Sequence, residues 1–298
     1  MGAKPEDAAF AAIRVGDASV LRRLLVSHPE LVDVEMGSGG SLLGAVAQAD
    51  VFGNSLGHSL GVDRECVDVL IESGSDLDGP LNLAACFDRL ELVEILLSAG
   101  ARVDVTGIHG ITSLETAIYH ASRASADVLA AVAVVPDAPW VAAGAGRVDR
   151  LELFLDGRGG LLPDAYLHRP NPADVGWLHR LPPRHIATDV LDEALVHAAQ
   201  NERPAAVAWL LKHGADPNAG PYQGCGALHL AAAFGALESV QLLIAAGADI
   251  DRPNDFNGDN ALGWAEYVLS QERPGDAGVA AATDLLRSLG SHPRVWGV

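Results

Sequence analysis

Gly224-Cys225-Gly226-Ala227-Leu228-His229-Leu230-Ala231-Ala232-Ala233-Phe234-Gly235-Ala236-Leu237-Glu238, running on to Gly247-Ala248-Asp249, is the stretch from which the rest of the chain can be read. It holds two short helical patterns, the first with a face of small residues and the second leucine-rich. The second stops at Gly247, and glycine is the residue expected just past a helix end, where a left-handed backbone closes the last turn. The same ending occurs in AWLLKHGADPN (208–218) and EILLSAGARVD (94–104), which stop at Gly214 and Gly100. Gly214 and Gly247 are 33 residues apart. Upstream of the other two stops lie LVHAAQ (195–200) and LNLAACF (81–87), again with paired alanines. Small residues let antiparallel helices approach closely, and such a unit cannot bury its apolar face without a neighbour.

A period of 33 with two short helices and a turn resembles the ankyrin repeat. The stretch 224–249 is similar to the ankyrin consensus and departs from it at Gly226 and Ala227, where the family prefers Thr-Pro. The resemblance implies an all-α ankyrin-repeat solenoid of paired antiparallel helices, in which His229 braces neighbouring loops by hydrogen bonding. Projecting the template outward predicts about eight units, beginning near 6–32, 40–79, 80–105, Gly110, 140–155, 189–220, 221–253 and 258–290. Gly74 to Gly100 is only 26 residues, so the projecting hairpin before the third unit is expected to be missing. This divides the chain into about five irregular repeats over 1–155, a Pro-rich non-repeat loop over 156–189, and about three repeats, including a cap, over 190–298.

The composition fits such a fold. The chain has 298 residues, of which 49% are hydrophobic and only 5% aromatic, so a core must be built from Ala, Leu and Val. A formal charge of −19 opposes phosphate backbones, which argues against nucleic-acid binding and suits a basic or neutral protein partner. Three cysteines without a CxxC pair argue against a disulfide framework and fit a reducing compartment. No run of 18 apolar residues occurs, and Glu6 stands where a myristoylation signal needs Ser or Thr. The expectation is a cytoplasmic, monomeric protein without membrane attachment.

Residues 156–189 carry Pro163, Pro170, Pro172, Pro182 and Pro183, which exclude continuous helix or sheet. Its apolar residues, Tyr166 and Trp177 among them, suggest an ordered loop lying against the array. His168, His179 and His185 lack the spacing of a metal motif, so no metal and no cofactor is expected. Arg169 belongs to the most basic patch of an acidic chain.

The resemblance further implies a concave binding groove, and counting from the Leu-His position places Phe87, His109, Tyr119, His120, Asn201, Tyr222, Gln223, Phe234, Phe256, Asn257 and Tyr267 on it. The loop adds Tyr166, His168, Arg169 and Trp177. Aromatic anchors are what a protein-recognition surface needs. The alternative is a small-molecule site or an unusual enzyme covered by the 156–189 loop, with Glu115, Tyr119 and His120 as proton-transfer groups. Glu115 and Tyr119 are four apart and share a helix face. No nucleophile elbow, phosphate loop or metal motif accompanies them.

Overall fold

The computed structural model describes residues 4–34, 41–48, 63–107, 110–166 and 187–293. They fold into helices joined by turns and fingers, in two compact units, 1–134 and 135–298. The first contains α1 (Pro5–Val15), α2 (Ala18–Ser27), α3 (Leu42–Gln48), α4 (Arg64–Glu72), α5 (Asp78–Cys86), α6 (Leu90–Ser98), α7 (Ser113–Tyr119) and α8 (Arg123–Val132). The second contains α9 (Pro139–Gly144), α10 (Val148–Leu151), α11 (Ala187–Gln200), α12 (Pro204–Lys212), α13 (Ala227–Ala233), α14 (Leu237–Ala245), α15 (Ala261–Tyr267) and α16 (Ala277–Ser288). Among the described residues each unit thus has four helix pairs, and the pair at 139–151 packs on α11 and goes with the C-terminal unit.

Within each unit the first helices of the pairs lie side by side: α3, α5 and α7 in one, α9, α11, α13 and α15 in the other. Their contact is a seam of small residues. Ala84, Ala85, Ala117, Ala142, Ala143, Ala198, Ala199, Ala231, Ala232 and Ala265 are all wholly buried. The second helices cover this layer with larger side chains, among them Leu92, Leu96, Leu210, Leu243 and Leu286. Each such Leu contributes roughly 1.5–3 kcal/mol by leaving water.

The array departs from regularity in three places, of which the sequence led to the first. Only five residues separate α4 from α5, so no finger precedes the third pair. In the fifth pair α10 is a single turn that tightens into a 3-10 turn at Glu152–Phe154. Helix α11 begins at Ala187, well before the short helical pattern at 195–200 that the sequence suggests.

The turn inside most pairs passes through one left-handed residue: Gly16, Asp88, Ala121, Gly146, Glu202 and Gly235, with φ between 52° and 71°. At Gly235 a side chain is also excluded by space, since a Cβ would sit 2.5 Å from the Val279 nitrogen and 2.6 Å from the Gly278 carbonyl carbon. Two carboxylates in these strained positions serve the next pair. Asp88 Oδ1 accepts from Ser125 N (2.8 Å) in the first turn of α8, and Glu202 Oε1 accepts from Glu238 N (2.9 Å) in the first turn of α14. Those amides have no partner inside their helices, so the carboxylates act as caps supplied by the preceding repeat.

Other side chains run back the opposite way. Ser122 donates to Cys86 O (2.9 Å), Arg203 Nε to Gly144 O (2.9 Å), and Arg273 to Ala233 O. Consecutive pairs are therefore latched at their turns. Ala121→Gly should raise stability by ~0.5 kcal/mol, because it removes left-handed strain and takes away no side-chain hydrogen bond. Asp88→Gly and Glu202→Gly should bring no gain, since each loses a cap worth about 1 kcal/mol. Denaturant unfolding of the three variants checks this.

Candidate functional site

The sequence places its groove residues on one face, but within each unit taken by itself the structure assigns them to one end or the other of the first helices. Phe87, His120 and Phe234 are the C-cap residues of α5, α7 and α13, and Asn201 follows α11. Tyr222, Gln223, Phe256 and Asn257 instead lie in the fingers that precede α13 and α15. The two rows are at opposite ends of the first helices, about 10 Å apart for a seven-residue helix.

The helix-end row is mostly committed to the fold. Asn201 is buried and donates from Nδ2 to His197 O (2.9 Å). Phe234 is half-buried, with the Arg273 guanidinium 4.9 Å from its ring centre. Phe87 and His120 are half-buried, and Tyr119 is buried with its ring edge-on to His120 at 5.4 Å. Tyr267, at the end of α15, is the exception, with 53% of its surface exposed.

Glu115, the carboxylate expected as a proton-transfer group, is instead engaged in the fold. It is 2% exposed, and Oε2 accepts from Thr112 N (2.8 Å) and Thr112 Oγ1 (2.7 Å), forming a capping box that starts α7. The three thiols offer no nucleophile in its place. Burial pushes Cys66, Cys86 and Cys225 each up to about 12, so all are protonated at neutral pH. Among the described residues, no group of three or more His, Cys, Asp and Glu side chains is arranged to hold a metal ion.

Tyr222 is the second correction. It is 1% exposed, and its hydroxyl meets His197 Nε2 at 2.8 Å, while Gln200 Nε2 lies 3.1 Å from His197 Nδ1. The pair ties the finger before α13 to α11, with Trp140 of α9 packed 5.0 Å from the imidazole. Sequence reasoning missed this polar cluster. Its signal was His197 standing one period before Leu230, a position where an apolar side chain is expected.

His229 does the work that the resemblance assigned to it. Gly226 N donates to its Nδ1 (3.3 Å), so Nε2 carries the proton and donates to Arg252 O (3.1 Å) in the following finger. Asn82 holds the equivalent place on α5 and donates to Ile111 O (3.2 Å). In these two repeats one side chain thus clasps the finger of the next.

What remains available is the finger row of the C-terminal unit. Asn254 is buried there, and its Oδ1 accepts from Phe256 N (2.9 Å) and Asn257 N (2.8 Å). Asn254 N donates to Asp259 O (2.8 Å), and Asn257 Nδ2 donates to Asp259 Oδ2 (2.7 Å). The finger is joined to its neighbour by Asp255 N donating to Gln223 O (2.8 Å). With its polar groups engaged internally, the tip holds Phe256 outward, 61% exposed. His109, His168, Arg169 and Trp177 lie outside the described residues, as does the side chain of Tyr166, whose backbone ends a 3-10 turn at Pro163–Tyr166. No described helix is long and apolar enough to cross a membrane.

Comparison with known proteins agrees with this geometry. A pattern of three consecutive ankyrin repeats matches residues 165–265, and a single ankyrin repeat matches 78–108. The chain is also similar to the B-cell lymphoma 3 protein homolog of Mus musculus, with 28% identity over 180 residues. That match spans 60% of this chain and 38% of the relative, so the chain accounts for well under two thirds of the relative's length.

The buried imidazoles carry a testable consequence. Burial pushes His197 down to about 3 and His229 down to about 4, from an ordinary value near 6.5. The unfolded chain therefore binds protons that the folded one refuses, so stability is full above pH 6.5 and is lost as pH falls toward those values. Between pH 7 and 5 each histidine costs about 2 kcal/mol. The double variant His197→Leu/Tyr222→Phe removes both partners of one buried hydrogen bond. Unfolding at the two pH values should show its acid loss smaller than that of the wild type by about 2 kcal/mol.

Proposed function

Since this is an ankyrin-repeat protein, we propose that it works as a non-catalytic binding module that docks a protein partner on the finger row of its C-terminal unit. The observation that carries this is Phe256: a large aromatic ring displayed to solvent on a tip whose own polar groups hold one another in place. Ring and backbone lose little freedom on binding, so most of the apolar surface covered by a partner counts toward affinity. Gln223, in the finger that Asp255 N bonds, is partly exposed, and its side-chain amide suits a hydrogen bond at the rim of an interface.

The catalytic alternative loses ground on particular atoms. Glu115 is spent on the α7 cap, and the three thiols are protonated. The first observation takes Glu115 out of the expected proton-transfer group.

Photo-crosslinking tests the reading. Benzoylphenylalanine replaces Phe256 in one chain and Gln241, exposed on the outer helix α14, in another. Irradiation in the native cell should give protein adducts from position 256 that are absent from 241. Adducts equal at both positions, or none at 256, would remove the finger row as a docking surface. Phe256→Ala should leave stability within about 0.5 kcal/mol, as expected for an exposed side chain. Tyr222→Ala should cost roughly 3 kcal/mol, because it empties a buried site. Thermal unfolding separates the two.

A further inference from the structure

Resting on that docking surface, we propose that the group it receives is an arginine side chain on an extended basic segment of the partner, stacked on the Phe256 ring and facing the Asp255 carboxylate. Three observations lead there. First, the finger carries a net negative charge, with Arg252 the one cation among residues 249–259. Asp249, Asp251 and Asp255 are exposed, and no described Lys or Arg forms an ion pair with any of them. Four arginines of the unit pair elsewhere: Arg147 on Asp149 (2.6 Å), Arg150 on Asp137 (3.2 Å), Arg273 on Asp276 (3.5 Å) and Arg287 on Glu266 (2.8 Å).

Second, the same chain already builds the proposed contact inside itself. The Arg273 guanidinium lies 4.9 Å from the Phe234 ring centre and also faces the Asp276 carboxylate. Aromatic face, guanidinium and carboxylate together make a unit that this fold stabilises. Phe256 with Asp255 beside it in sequence supplies two of the three parts to solvent, and among the described residues no cation lies over that ring.

Third, the chemistry prefers arginine. A guanidinium is planar, stacks on an aromatic face, and gives up its water more readily than an ammonium. Lysine would satisfy the charge alone. The formal charge of −19 steers basic segments toward the whole molecule and repels acidic ones, so the finger's share of the recognition is the choice among cations.

Two dye-labelled twelve-residue Gly/Ser peptides, one with four arginines and one with four lysines, are titrated with the full chain, and binding is followed by fluorescence anisotropy. The arginine peptide should bind about fivefold more tightly than the lysine peptide, the range of an exposed cation–aromatic contact. Phe256→Ala should bring the two peptides level, Asp255→Asn should weaken both, and Glu94→Gln, on the N-terminal unit, should change neither. Equal binding of the two peptides to the wild type, or an arginine preference that survives Phe256→Ala, would overturn the proposal. Photo-adducts at position 256 without an arginine preference would leave the docking surface standing and remove the arginine. Absence of both adducts and peptide binding would remove the two together.

Discussion

The close approach of the first helices of successive pairs is the constraint on which everything else depends. Side chains larger than alanine at Ala84, Ala117, Ala198 or Ala231 would push neighbouring helices apart, and overpacking of this kind costs 1–3 kcal/mol per site. With alanine there, the seam itself contributes little apolar burial. The leucines of the second helices supply it, and they can do so only because the seam lets one pair sit against the next. The fold is therefore cooperative from pair to pair within each unit, as expected of structures whose units cannot bury their faces alone.

Close stacking also sets the backbone. A helix pair joined by two or three residues turns back through a left-handed residue, and at Gly235 the next helix is so near that only glycine fits. Where Asp88 or Glu202 replaces glycine, the strain is offset by a hydrogen bond that only a close neighbour can receive. At the other end of the helices His229 and Asn82 reach the next finger across the same short distance. The fingers are held because the helices beneath them are packed. A held tip carrying Phe256 is the outcome on which the proposed docking rests.

The architecture was legible in the sequence because glycine stops, alanine pairs and the 33-residue spacing are backbone requirements, written into residue type. The missing third finger could be read from the 26 residues between Gly74 and Gly100 for the same reason. Site residues were less legible. Counting along the chain treats the finger and the far end of a helix as one surface, although the helix length separates them. Nor does a sequence position say what a side chain bonds to. Tyr222 was expected at a groove and is instead clasped to His197 in the interior, and Glu115 was expected beside Tyr119 and instead caps its own helix. Phe256 was placed correctly in a finger, but its exposure depends on Asn254 holding two backbone amides, which no local pattern announces.

A preordered finger tip above an alanine seam is the core of this account, and native-state hydrogen exchange reads it directly. The amides of Phe256 and Asn257 should be protected in the full chain, and Asn254→Ala should abolish that protection while α13 and α14 remain as slow to exchange as before. Free exchange of those two amides in the unmodified chain, at the rate of an open loop, would contradict the account, because the tip would then have to be ordered by its partner.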